Sequence, residues 1–256
     1  MDLTIQQLTQ LAKEAALVAG SEIIKIYNSA EMAVEYKKDD SPLTKADRIA
    51  HEIIVSYLEK TKLPILSEEG KDIPYAKRKD WEYFWMVDPL DGTKEFIKKN
   101  GEFTINIALI HRDSPIMGVI YAPIMNWLYW GSLGEGAWKQ VGDEPALQLE
   151  KLHNREVNTI VASRSHLNQE TQEIIDRYPG AETISMGSSL KFMLVAENKA
   201  QLYPRFAPTM EWDTAAAQGI LEVVGADVCQ MPRGSKLVYN KATLLNPSFL
   251  VVTCRN

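Results

Sequence analysis

From Thr4 to Asn28 the apolar residues recur at helical spacing, with Ile5, Leu8, Leu11, Ala15, Val18 and Ala19 on one face. Thr4 followed three residues later by Gln7 offers a capping box, which predicts a helix start just after Thr4. The same period returns in TKADRIAHEIIVSYLEKT, with Ile49, Ile53, Ile54 and Tyr57 sharing a face. From residue 82 the pattern shortens. EYFWMVD, FTINIALI, IMGVIYAP and WLYWGS are short, aromatic or β-branched, and separated by turn chemistry such as HRDSP, so they read as strands. GSLGEGAW reads as the bend of a hairpin, because its glycines match neither GxGxxG nor GxxxxGK[ST].

After residue 153 strand and helix alternate. NTIVASRS and AQLYPR read as strands, NQETQEIIDRYP and SSLKFMLVAENK as helices, and TMEWDTAAAQGILEVVG as a helix stopped by Gly225. FLVVTC closes the chain as a strand. This order predicts two lobes folded together: residues 1–153, with two helices and an antiparallel sheet, and residues 154–256, of α/β type. No internal repeat or low-complexity linker interrupts them.

The 256 residues are 45% apolar, enough for a sizeable core. A net charge of −6 argues against nucleic acid or an anionic membrane surface as the partner, so an anionic ligand would need a local site or a metal. The two cysteines, Cys229 and Cys254, are too few for a disulfide framework and read as reduced core residues. The start, MDLTIQQLTQ, lacks the order of a signal peptide, and no apolar run approaches the roughly 20 residues of a membrane span. A cytoplasmic protein is expected.

The candidate chemistry lies in carboxylates. VDPLDGT ends an apolar run in Asp88 and Asp91, which is either an ordinary Asp-Pro-Gly turn or a hard-metal site with the Leu90 carbonyl as a further oxygen. An EF-hand is excluded, because the twelfth position counted from Asp88 is Lys99. Oxygen ligands select Mg²⁺, Mn²⁺ or Ca²⁺, and the four histidines show no zinc spacing. PILSEEG places Glu68 and Glu69 where another strand emerges, as ligands or as a solvated turn. EWDTAAAQG puts Asp213 at a helix start, where a cap is the commoner use. Asp47 follows the turn in SPLTKADR.

Taken together and in order, LTKAD, LSEEG, VDPLDGT and EWDTAA resemble the lithium-sensitive inositol monophosphatase superfamily across nearly the whole chain. SRSH, GSSLKF, AQLYPRFAPTMEWDTAAA and LLNPSF resemble its 3'(2'),5'-bisphosphate nucleotidase branch, with Ala207 where glycine is expected.

The resemblance implies an α+β / α/β fold, the layered αβαβα sandwich of the inositol monophosphatase and fructose-1,6-bisphosphatase sugar-phosphatase type. It implies two or three Mg²⁺ ions held by Glu68, Asp88, the Leu90 carbonyl, Asp91 and Asp213, with Mn²⁺ as a substitute and Li⁺ and Ca²⁺ as inhibitors. Asp47 and Thr93, with Glu68, would activate the attacking water, and the amides of Gly92 and Thr93 would meet the phosphate. Ser188, Lys191 and Arg205, with His166 nearby, would bind a phosphate that is not cleaved. The implied reaction converts adenosine 3',5'-bisphosphate to AMP and phosphate, with 3'-phosphoadenylyl sulfate as a second substrate. The implied partner is therefore a small nucleotide, and the protein a monomer or homodimer, cytoplasmic or peripheral on the inner membrane. Two readings compete: an inositol or sugar monophosphatase, and a non-catalytic metal- or phosphate-binding protein. Asp47, Glu68 and Thr93 speak against the second, since binding alone needs no water-activating pair. Trp81 and Trp138 receive no role in base stacking.

Overall fold

Both helical patterns at the start of the chain form, but each helix buries a different stripe from the one its large apolar residues mark. Helix α1, Ile5–Asn28, opens with the capping box: the Gln7 amide donates to Thr4 Oγ1 at 3.2 Å, and the Thr4 amide to Gln7 Oε1 at 2.9 Å. It buries Leu8, Ala12, Ala15, Ala16, Ala19 and Ile23, while Val18 is exposed and Leu11 only half-buried. Helix α2, Lys45–Leu58, buries Ala46, Ala50, Ile54 and Leu58, leaving Ile49, Ile53 and Tyr57 at the margin. The reason is packing: alanines let two helices and a sheet approach closely, and the bulky side chains cover the seam.

The computed structural model describes residues 3–29, 34–36, 42–153, 156–162, 168–232 and 234–253; His166 and Cys254 lie outside them. Strands β1 (Val34–Tyr36) and β2 (Pro42–Thr44) form a small antiparallel ribbon. Next come β3 (Ile65–Ser67), the single turn α3 (Tyr75–Arg78), β4 (Tyr83–Asp91), α4 (Thr93–Ile97), β5 (Thr104–His111), β6 (Ser114–Ala122), β7 (Trp127–Ser132), β8 (Gly136–Val141) and β9 (Leu147–Gln148). Strands β3 to β9 make one seven-stranded sheet in chain order, antiparallel except for β3 beside β4. The rest of the chain gives β10 (Thr159–Ala162), α5 (Gln169–Ile175), β11 (Glu182–Ser185), α6 (Leu190–Ala196), β12 (Leu202–Arg205), α7 (Glu211–Val224), β13 (Ala226–Gln230) and β14 (Phe249–Thr253). Its five strands run β11-β10-β12-β14-β13, parallel across the first three and antiparallel beyond. Cys229, on β13, is a half-buried free thiol.

The layers follow from which faces are apolar. In β4, Trp85 and Val87 point into the core under α1 and α2, and Phe84 and Met86 into the core around α6 and α7. Covered on both faces, this strand is a continuous apolar run rather than an alternating one. Helices α6 and α7 lie between the two sheets, and Ile174 of α5 packs with Ile160 of β10 and Leu202 of β12. The result is a layered αβαβα sandwich.

Helix α7 crosses the seven-stranded sheet at very close range. A Cβ built on Gly118 of β6 would lie 2.0 Å from the Ala216 carbonyl oxygen, so only glycine fits there. The far end of the helix stops at Gly225, and its first turn is held by Glu211. That fully buried carboxylate accepts from the Asn240 amide at 2.6 Å and from Lys241 Nζ at 2.6 Å. Gly118→Ala should destabilise the protein by about 3 kcal/mol, the upper range for an overpacked core. A urea-unfolding midpoint would measure it, and a loss below about 1 kcal/mol would show that α7 can move aside.

Candidate active site

Strand β4 was expected to end at Asp88; it runs on to Asp91. The register explains how. Asp88 pairs with Asn106 and Asp91 with Thr104, so three steps on β4 oppose two on β5: a β-bulge. Residues three apart on a regular strand face opposite sides, and the extra residue restores both aspartates to one side. Pro89, which cannot donate to a ladder, sits inside the bulge, and the Leu90 amide donates to Asp88 Oδ1 at 3.0 Å. From the other half of the chain, the first turn of α7 delivers Asp213. Oxygens of Asp88, Asp91 and Asp213 lie within 4.8 Å of one another.

At that separation each pair of charges repels by roughly 3.5 kcal/mol at an effective dielectric near 20. The groups that orient the carboxylates are neutral. Asp213 Oδ2 accepts the Met210 amide at 2.9 Å, and Asp91 Oδ2 accepts Ser188 Oγ at 2.6 Å and Ser189 Oγ at 2.9 Å. Burial, and then the charges of Glu68, Asp91 and Asp213, hold Asp88 well above the ordinary carboxylate range. Burial, followed by Asp91 and Glu68, does the same to Asp213. An all-oxygen donor set, crowded and oriented without being neutralised, fits a hard divalent cation. Glu68 stands outside the close trio: it follows β3, with its amide donating to the Val87 carbonyl at 3.1 Å, and acts on Asp88 and Asp213 through its charge.

Asp47 sits in the first turn of α2. Its Oδ2 accepts the Thr44 amide at 2.7 Å and the Thr44 hydroxyl at 2.5 Å, a capping box that the sequence T-x-x-D already contains. Its Oδ1 accepts Thr93 Oγ1 at 3.2 Å, and the same hydroxyl lies 3.4 Å from the Leu90 carbonyl. Burial raises the Asp47 pKa more than its hydrogen bonds lower it, and Glu68 adds to the rise. Gly92, between Asp91 and Thr93, is left-handed at φ 94°, which lets the chain turn from β4 into α4.

A cleft of about 290 Å³ opens beside the carboxylates, lined by Asp91, Gly92 and Asp213 together with Lys191, Tyr203 and Arg205. The Arg205 Nε is buried and has no hydrogen-bond partner among the described residues, while its Nη2 reaches the Pro208 carbonyl at 3.4 Å. Lys191 Nζ donates to the Ser188 and Met186 carbonyls at 2.8 and 3.2 Å; burial above all, with Arg205 beside it, pushes its pKa down to about 8. Ser188 also lines this cleft, but its hydroxyl is engaged by Asp91 and Thr104.

Four polar residues at this site escape sequence reasoning. Thr104 and Asn106 are buried in the apolar strand FTINIALI, Ser189 is fully buried beside Ser188, and Glu102 Oε2 accepts the Gly187 amide at 2.8 Å. The signal was there for the first two: a polar residue inside a strand covered on both faces needs a partner.

The fold and this site are those of a phosphatase class. The family model of the inositol monophosphatase family matches residues 4–253, and the chain belongs to that family. Its sequence is 44% identical over 252 residues to the 3'(2'),5'-bisphosphate nucleotidase CysQ of Salmonella typhimurium, covering 96% of this chain and 98% of that one. It is 45% identical over 253 residues to the protein of the same name from Escherichia coli K12, covering 96% and 98%. Among solved structures, CysQ from Bacteroides thetaiotaomicron superposes with a TM-score of 0.90 at 47% identity over all of both chains.

Asp88→Asn should remove activity while leaving the metal-free protein as stable as the parent, or slightly more so, because one repelling charge is gone. Melting in a chelator and phosphate release with Mg²⁺ check the two halves; near-normal turnover would sink the metal reading.

Proposed function

We propose that the chain is a Mg²⁺-dependent phosphomonoesterase that removes the 3'-phosphate of adenosine 3',5'-bisphosphate, giving AMP and phosphate, and that it also accepts 3'-phosphoadenylyl sulfate. The observation that carries this reading is the pairing, in one cleft, of Asp91 and Asp213 from the carboxylate trio with Arg205, whose Nε is buried without a partner among the described residues, and with Lys191. A buried guanidinium N–H without a partner calls for an acceptor, and guanidinium with ammonium recognises phosphate through charge-assisted hydrogen bonds. The relatives' names supply the substrate class, a 3'(2'),5'-bisphosphate nucleotide. The two lobes would then be residues 1–153, carrying the water-activating pair and most metal ligands, and 154–256, carrying Asp213 and the second-phosphate groups. The reaction belongs to the cytoplasm, free or at the inner membrane surface, and clears a by-product of sulfate assimilation.

Glu68, Asp88, Asp91, Asp213 and the Leu90 carbonyl would hold the Mg²⁺, which when bound acidifies a water and neutralises charge on the phosphate and the departing oxygen. The protein's own groups do the rest. Thr93 Oγ1 accepts the proton of the attacking water as it passes its own to Asp47 Oδ1, the one Asp47 oxygen not spent on Thr44. A raised Asp47 pKa makes that carboxylate a stronger base. The Gly92 and Thr93 amides donate to the phosphate oxygens.

Lys191→Ala and Arg205→Ala should raise the Michaelis constant for the bisphosphate about 10- to 150-fold, the loss of one charge-assisted bond. Inositol 1-phosphate turnover should change little; equal losses on both substrates would favour a simple monophosphatase. With Lys191 titrating at about 8 in the free enzyme, kcat/KM for the bisphosphate should fall as pH rises through that value. In Lys191→Ala that fall should disappear.

Thr93→Ala should keep Mg²⁺ binding and substrate affinity but lose about 10²- to 10⁴-fold in turnover. Asp47→Asn should match it, and the double variant should cost little more, because the two act as a unit. A Thr93→Ala protein with unchanged turnover would remove this pair from the mechanism.

Mn²⁺ should replace Mg²⁺, and Ca²⁺ should inhibit. Li⁺, small enough for a Mg²⁺ position but with half its charge, should inhibit at concentrations where Na⁺ and K⁺ do not. Equal inhibition by all three monovalent ions in a phosphate-release assay would count against it.

A further inference from the structure

One oxygen of the carboxylate trio is treated differently from the rest. Asp91 Oδ2 faces three side-chain donors from two elements: Ser188 Oγ at 2.6 Å, Ser189 Oγ at 2.9 Å and Asn106 Nδ2 at 3.5 Å. Behind them the donors are themselves fixed. Asn106 Nδ2 donates to Ser189 Oγ at 2.9 Å, and Thr104 Oγ1 donates to Asn106 Oδ1 at 3.0 Å while standing 2.6 Å from Ser188 Oγ. Thr104 and Ser189 are fully buried and Asn106 is 1% exposed. Each hydroxyl has one proton, so not every contact in the set is a hydrogen bond; one assignment supplies Asp91 and orients the amide, and leaves the Thr104–Ser188 approach without a proton. Both serines donate to Asp91, the amide donates to Ser189, and Thr104 orients the amide by donating to its oxygen. The chain of donors therefore runs one way, from Thr104 through Asn106 and Ser189 to Asp91.

We propose that Ser189 and Asn106 are positioning residues for the cation site, which lock Asp91 by one oxygen so that the other, Oδ1, is presented to a divalent cation. The neutrality of the donors is the physical point. A lysine or arginine in their place would orient the carboxylate equally well but would cancel the charge that attracts the cation. Ser189 also stands between the two segments that supply Asp91 and Asp213, its Oγ 3.1 Å from the Asp213 carbonyl. Asn106 is also the residue paired with Asp88 across the bulge. The inference rests on the reading that these carboxylates hold a divalent cation.

The test is a calorimetric titration with Mg²⁺ alone, without substrate, on the parent, Ser189→Ala, Asn106→Ala and the double variant. Each single change should weaken Mg²⁺ binding about 10- to 100-fold, the usual cost of removing a group that orients a metal ligand. The double variant should bind scarcely more weakly than Ser189→Ala, because Asn106 acts through Ser189. In kinetics the half-saturating Mg²⁺ should rise by the same factor, while the Michaelis constant for the bisphosphate at saturating Mg²⁺ stays at the parent's value. A purely structural role would lower the urea midpoint without that split. Unchanged Mg²⁺ affinity, fully additive losses, or turnover that excess Mg²⁺ does not restore would each overturn the proposal. Asn106→Ala leaves Ser189 in place and keeps the test open if Ser189→Ala does not fold. A parent that binds Mg²⁺ but does not cleave the bisphosphate would defeat the substrate reading and leave this one to the titration. A parent that binds no Mg²⁺ defeats both.

Discussion

The site depends on a single extra residue in a strand. Without the bulge between Asp88 and Asp91, the two side chains would leave β4 on opposite faces, one into each core. The bulge holds because β4 cannot slip. Phe84 and Met86 are committed to one core and Trp85 and Val87 to the other, and a shift of one residue would exchange them all. The hydrophobic packing of the strand thus fixes a geometry that the carboxylates themselves oppose. Close crossing of α7 over Gly118 then brings Asp213 to the same place from a distant part of the sequence.

Charge is divided within the cleft rather than over the surface. The chain carries a net charge of −6, which would repel a bisphosphate at long range. Locally, however, Lys191 and Arg205 line the same cleft as Asp91 and Asp213. Neutral donors, backbone amides and the serine hydroxyls, hold the trio in place, so its charge is kept for the ion it would bind.

The chemical residue types were legible in the sequence because charged groups at the end of apolar runs are costly and need a reason. Asp88, Asp91, Asp213, Asp47 and Thr93 could be named from their motifs. Their convergence was implied only by the family resemblance, since it depends on the register between β4 and β5, and DPLDGT by itself reads equally well as a turn. The helix faces were misread for a related reason: alanines carry little hydrophobic signal, yet Ala46 and Ala50 are what α2 buries. Asn106 and Ser189 receive no role from the sequence, because hydrogen-bond partners 83 positions apart leave no spacing to recognise.

The central claim is that the bulge and α7 together build one divalent-cation site. Anomalous diffraction from crystals soaked in Mn²⁺ measures it most directly. The account requires a peak ligated by carboxylate oxygens of Asp88, Asp91 and Asp213. A map with no peak among those three, or with the metal bound elsewhere on the chain, would contradict it.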